Sequence, residues 1–221
     1  MRPLRIFCTI VLIIFIVPAF GQDPSRFQKE VDSIVALNQS VRRSNLILFT
    51  GSSSIRMWHN LKTTFPDYNI VNLGFGGSEM ADLLFYVDKL IISFAPIQVF
   101  IYEGDNDISF GRTSEQILSA ADSILSRVRR KFPQTELVFI SPKPSLARWE
   151  LREQYELFNK QLEAWTKRKK RVRYADVWSA MLDSQGNVRQ DIFIEDGLHL
   201  NEKGYAIWTS VLAKYLSSNR R

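Results

Sequence analysis

The chain has 221 residues, 45% of them hydrophobic and 24% charged, with a formal net charge of +6. This balance excludes a disordered, fibrous or low-complexity chain and fits one globular domain with a sizeable core. The single cysteine, Cys8, lies in the N-terminal apolar run, so no disulfide framework is expected in the rest of the chain.

In chain order, "MRPLRIFCTIVLIIFIVPAFGQ" comes first, with Arg2 and Arg5, an apolar run from Ile6 to about Phe20, and Ala19-Phe20-Gly21 before Gln22. That order is the pattern of a cleavable secretory signal over residues 1–21, cut after Gly21. The run is short for a bilayer span, which needs about 20 apolar residues, and Pro18 stands near its end. Cys8 has no small-residue site before it, which argues against a lipid anchor. Residues 22–221 show no Pro/Gly/Ser tract and no internal repeat, so one domain is expected, exported to the periplasm or beyond the cell.

Five apolar runs of strand length follow: Leu46 to Thr50, Ile70 to Leu73, Gln98 to Tyr102, Leu137 to Ser141 and Val172 to Val177. They lack strict alternation, as strands covered on both faces do. Between them, Thr113 to Arg130 places Ile117, Ala121, Ile124 and Val128 on one helical face, and Leu151, Tyr155, Phe158, Leu162 and Trp165 form a second stripe. Both stripes are expected in the core. Strand and helix alternate throughout, which predicts an α/β sandwich on a parallel sheet, with functional groups at the carboxyl ends of the strands.

Four polar, glycine-bearing stretches stand near those ends: Gly51-Ser52-Ser53-Ser54, "NLGFGGSEM" with Gly74, Gly76 and Gly77, "YEGDNDIS" with Asp105, Asn106 and Asp107, and "EDGLHLNEKGYAIW" with Asp196 and His199. Each has a structural explanation. A serine is a good N-cap, glycines make turns, Gly-Asp-Asn-Asp has turn composition without the further acids of a calcium loop, and Asn201 suits the cap of the last helix. Together they say more. The chain has two histidines, His59 and His199. His199 follows Asp196 by three residues, a spacing at which a carboxylate can hold Nδ1 and leave Nε2 to take a hydroxyl proton. His59 follows Trp58 in an expected first helical turn, has no carboxylate within four residues, and is read as structural or surface.

These blocks, in order from Gly51 to His199, resemble the SGNH hydrolases, the GDSL-like lipase/acylhydrolase family, in the branch similar to platelet-activating-factor acetylhydrolase subunits. The resemblance implies a three-layer α/β/α sandwich around a five-stranded parallel sheet, flavodoxin-like in arrangement. It makes Ser53 the nucleophile of a Ser53–His199–Asp196 triad, and Ser53, Gly77 and Asn106 the oxyanion-hole donors. Ser52 departs from the family pattern, which has Asp there. Ser53, at a strand end, is expected to have a helix N-terminus beneath it that favours negative charge.

The expected reaction is hydrolysis of a small acyl ester, acetyl foremost, through an acyl-enzyme. An envelope polysaccharide acetyltransferase or deacetylase using the same site is the close rival, and a catalytically silent glycan- or lipid-binding module the distant one. No metal or cofactor is expected. The partner is a small-molecule or glycan ester, without nucleic acid and without stable membrane insertion after signal cleavage; the sequence leaves the oligomeric state open. Phe75, Glu79 and Asp107, with Met80, Ile108 and Phe110, flank the blocks and are the candidate substrate-binding residues. The basic run "KRKKRVR", residues 167–173, is read as a solvated helix end that complements the dipole.

Overall fold

The computed structural model describes residues 23–217; the expected signal segment and Cys8 lie outside them. All five apolar runs form strands: β1 (Leu46–Gly51), β2 (Asn69–Gly74), β3 (Gln98–Tyr102), β4 (Glu136–Ile140) and β5 (Val172–Ala175). They pair in parallel in the order β2-β1-β3-β4-β5. β5 is shorter than its apolar run because the N–H groups of Val177 and Trp178 turn away to the Ser141 hydroxyl, at 3.0 and 3.1 Å.

The helices are α1 (Gln28–Leu37), α2 (Ser53–Arg56), α3 (Leu61–Thr64), α4 (Met80–Phe85), α5 (Val87–Leu90), α6 (Asp105–Ser109), α7 (Ser114–Lys131), α8 (Arg152–Lys167) and α9 (Glu202–Leu212). α7 starts where Thr113 and Gln116 cap each other's backbone. Its stripe of Ile117, Ala121, Ile124 and Val128 is buried, as are Tyr155, Phe158, Leu162 and Trp165 of α8.

Successive strand residues point to opposite faces and both faces are covered, so alternation is absent from the sequence. Leu46, Leu48, Val99, Ile101, Leu137 and Phe139 pack with residues of α1, α4, α5, α7 and α8. Ile47, Phe49, Phe100, Tyr102, Val138 and Ile140 pack with Trp58 and with Trp208 and Leu212 of α9. The result is a three-layer α/β/α sandwich. Its strand order reverses between β1 and β3, and a sheet of this kind opens its crevice at the carboxyl ends of such a pair.

At that point the chain needs glycine. Gly51 has φ +120°, and a Cβ there would stand 2.1 Å from the Tyr102 carbonyl oxygen. The close approach lets the Ser52 N–H donate to Tyr102 O at 3.0 Å while Gly51 O accepts from Phe75 N–H at 2.8 Å.

On the α9 face, Trp208 is fully buried and packs on Trp58, Tyr102 and Tyr205, with centroids 6.0, 4.9 and 6.3 Å away. Trp208→Ala is expected to cost about 3–5 kcal/mol in urea unfolding, with the denaturant slope unchanged. A loss below about 1 kcal/mol would show that this aromatic cluster is not where α9 is held.

Candidate active site

The three serines after β1 have three different surroundings. Ser52 is the N-cap residue of α2, yet its buried hydroxyl makes no cap bond and accepts from Asn106 Nδ2 at 2.7 Å. Ser53 opens the helix with its Oγ 2.9 Å from His199 Nε2. Ser54 is buried, and its carbonyl accepts from the Tyr205 hydroxyl at 2.9 Å. The helix beneath Ser53 is a single turn, so the expected dipole is that of only a few peptides. Asn72 holds this turn to β2, donating to Ile55 O at 2.6 Å and accepting from Gly74 N–H at 3.0 Å.

His199 and Asp196 come from one tight loop. A bridge between Phe193 and Leu200 closes it, and Asn201 caps α9 while donating to Asp191 O and Phe193 O. Within the loop, Asp196 Oδ1 accepts from the backbone N–H groups of Leu198 and His199, both at 2.8 Å, and Oδ2 lies 2.6 Å from His199 Nδ1. Burial pushes the Asp196 carboxyl up, but the His199 ring and these N–H groups outweigh it and hold the group at about 2. An ionised carboxylate only accepts, so the ring proton sits on Nδ1 and Nε2 is left to accept from Ser53.

The other two strand ends supply donors. Asn106, in α6, directs Nδ2 to Ser52 Oγ and to Ser78 O, at 2.7 and 2.9 Å. Its amide therefore ties the neighbour of Ser53 to the neighbour of Gly77. Gly77 is exposed at φ +78°, with open space where a Cβ would stand. Among the described residues, neither the Ser53 nor the Gly77 N–H has a hydrogen-bond acceptor. Arg148, which no motif marked, donates to Asn106 Oδ1 at 3.0 Å and to Asp105 Oδ1 at 2.5 Å. Burial raises the Asp105 carboxyl, but Lys143 and Arg148 override it and keep the group well below the usual carboxylate range.

The candidate substrate-binding residues turn inward. Phe75 is fully buried, and Met80 and Ile108 are buried with it. Glu79 pairs with Arg112 at 2.6 Å and Asp107 accepts from the backbone of Met80 and Gly104. Of the group only Phe110 is largely exposed. α2 ends at Arg56, so His59 lies in an exposed turn rather than a helix, on the rim of a cavity of about 1000 Å³ shared with Met57, Ile194, Leu200 and Tyr205. In the basic run, Lys167 pairs with Glu163, Lys169 with Asp122 and Arg173 with Glu136. Arg148 had a signal that sequence reading passed over: it follows β4, whose carboxyl end points to the same edge as the other blocks.

The chain belongs to the GDSL-like lipase/acylhydrolase family, whose model matches residues 32–207. It is thus a carboxylic ester hydrolase by class. Among solved structures it is similar to a Streptococcus pneumonia protein described in terms of platelet activating factor, with 25% identity, TM-score 0.78, and 86% of this chain and 92% of that one covered. A GDSL-like lipase from Bacteroides thetaiotaomicron VPI-5482 is 17% identical at TM-score 0.73, covering 88% and 98%. An acetylxylan esterase from Geobacillus stearothermophilus is 13% identical at TM-score 0.65, covering 78% and 94%. No curated protein matches. No helix among the described residues is long and apolar enough to cross a membrane.

Beneath the Gly77 turn, Glu103 is buried with Oε2 unpartnered and Oε1 2.6 Å from Ser78 Oγ, which is also 3.1 Å from Phe75 O. Burial, reinforced by Asp107, pushes the Glu103 carboxyl well up, against the Ser78 hydroxyl that donates to Oε1. The native form then holds a proton that the unfolded chain has released, and stability from this site falls as pH rises above the unfolded carboxyl value. Glu103→Gln is expected to be more resistant to urea than the parent at pH 8, and to lose most of that advantage at pH 4. A gap independent of pH would mean that Glu103 ionises normally in the fold.

Proposed function

We propose that this chain is an exported serine esterase that hydrolyses a small acyl ester, acetyl foremost, through an acyl-enzyme on Ser53. The observation that carries the reading is the unbroken chain from Ser53 Oγ to His199 Nε2 to Asp196, at 2.9 and 2.6 Å. Nε2 takes the hydroxyl proton as Oγ attacks the ester carbonyl, and Asp196 steadies the imidazolium. The carbonyl oxygen becomes negative and is received by the N–H groups of Ser53 and Gly77 and by the Asn106 Nδ2 hydrogen that turns to it from Ser52 Oγ. As the intermediate collapses, the imidazolium protonates the departing alcohol. Water, deprotonated by Nε2, then attacks the acyl-serine, and the acid leaves with Ser53 restored.

Two structural relatives, an acetyl esterase and the acetylxylan esterase above, support acetyl as the acyl group and a sugar hydroxyl as the leaving group. The inward packing of Phe75, Met80 and Ile108 agrees with a site that holds a short acyl chain near the surface. Export rests on the signal pattern of residues 1–21.

In residues 22–221, a fluorophosphonate is expected to label the Ser53 peptide by mass spectrometry. Ser53→Ala and His199→Ala should each lower acetyl ester turnover by more than about 10³-fold. Label that survives Ser53→Ala would refute the assignment. Asn106→Ala should lower kcat by about 10² to 10³ with little change in KM. The exported protein, sequenced from its N-terminus, should begin at Gln22; retention of Met1 or Arg2 would overturn cleavage.

A further inference from the structure

We infer that Arg148, outside all four motif blocks, is a positioning residue that sets the Asn106 amide as an oxyanion donor. The inference rests on the acyl-enzyme reading above. One guanidinium makes three bonds to two consecutive residues: NH1 donates to Asp105 O at 3.0 Å and to Asp105 Oδ1 at 2.5 Å, and NH2 donates to Asn106 Oδ1 at 3.0 Å. A guanidinium has only donors, so the amide must turn its oxygen to Arg148 and its nitrogen to Ser52 and Ser78. The bond also draws amide electron density toward Oδ1, which makes the Nδ2 hydrogens stronger donors, including the one that turns from Ser52 Oγ to the reacting oxygen as it becomes negative.

A purely structural role does not account for the second arm. Asp105 is already met by Lys143 Nζ at 3.2 Å and by the hydroxyls of Tyr102 and Tyr155 at 2.7 and 2.6 Å. Arg148 is the less buried of its two cations, 15% exposed against a fully buried Lys143. Its segment also reaches the other half of the site, because Ala147 N–H donates to Gly197 O at 3.1 Å inside the Asp196–His199 loop. The β4–α8 connection thus touches the oxyanion side through Arg148 and the imidazole side through Ala147.

The test is a double-mutant cycle on acetyl ester turnover with Arg148→Met, Asn106→Ala and the pair. Arg148→Lys runs alongside, because it keeps a charge beside Asp105 and loses the two-armed fork, so it should fold where the Met variant fails. Thermal midpoints are read on every variant. Expected is a fall in kcat of about tenfold or more for Arg148→Met and Arg148→Lys, with KM within about twofold. In the Asn106→Ala background the same changes should cost less than about twofold. Unchanged kcat would overturn the inference. So would a rise in KM alone, or an equal loss in both backgrounds. Absence of fluorophosphonate label on Ser53 in the parent enzyme would instead bring down the acyl-enzyme reading, and this inference with it.

Discussion

Around Gly51 the backbone bonds in both directions across the sheet: its carbonyl accepts from Phe75 N–H toward β2, and the next N–H donates to Tyr102 O toward β3. These bonds extend the ladders one step past the strands and so fix the relative positions of three departing loops. Ser53 leaves from the middle one, Gly77 from the second and Asn106 from the third. A side chain at Gly51 would meet the Tyr102 carbonyl, so the register that brings the loops together depends on glycine there. The remaining geometry of the site is built on this spacing, with the Asn106 amide spanning from Ser52 to Ser78.

Below the loops lies a cluster of buried carboxyl groups. Glu79, Asp82, Glu103 and Asp107 are all nearly inaccessible, with Arg26 and Arg112 as the cations paired to Glu79 and Asp82. Burial of Asp107 pushes its carboxyl up to about 7, although it accepts from backbone N–H groups of Met80 and Gly104. Buried ionic groups contribute little net stability compared with apolar residues of the same volume. What they contribute here is direction: Asp82 holds the Glu79 N–H, Asp107 the N–H groups of Met80 and Gly104, and Glu103 the Ser78 hydroxyl, each in one orientation. A greasy layer would fill the space and leave those turns free to rotate.

All five strands were legible in the sequence because their buried residues read as short apolar runs, least so in β5, where Arg173 and Tyr174 are half-buried. The helical stripes of α7 and α8 were legible by spacing. Ser53, Gly77, Asn106, Asp196 and His199 stood in motif blocks, and the structure brings them to one edge of the sheet. What local sequence does not carry is which way a side chain turns within a loop. Phe75, Glu79 and Asp107 neighbour the blocks, yet Asp107 turns back to cap its own helix and Glu79 meets Arg112, 33 residues away. Arg148 was missed for a related reason, since its partner Asn106 is 42 residues distant and no spacing rule links them.

His199 and Ser53 are 146 residues apart, but the demand on the fold is smaller than that separation implies. Asp196 and His199 are fixed to each other by bonds within one loop, and that loop is fixed to α9 by the Asn201 cap. Ser53 is fixed to α2, and α2 to β2 by Asn72. Only the relation between α2 and α9 has to come from tertiary packing. That relation is set by Tyr205, whose hydroxyl reaches Ser54 O at 2.9 Å and whose ring stacks on Trp58 at 5.1 Å, and by Trp208 behind it. The hydrogen bond between Ser53 and His199 is therefore held by an aromatic interface on the side of the sheet, and precision at the site is inherited from packing in the core.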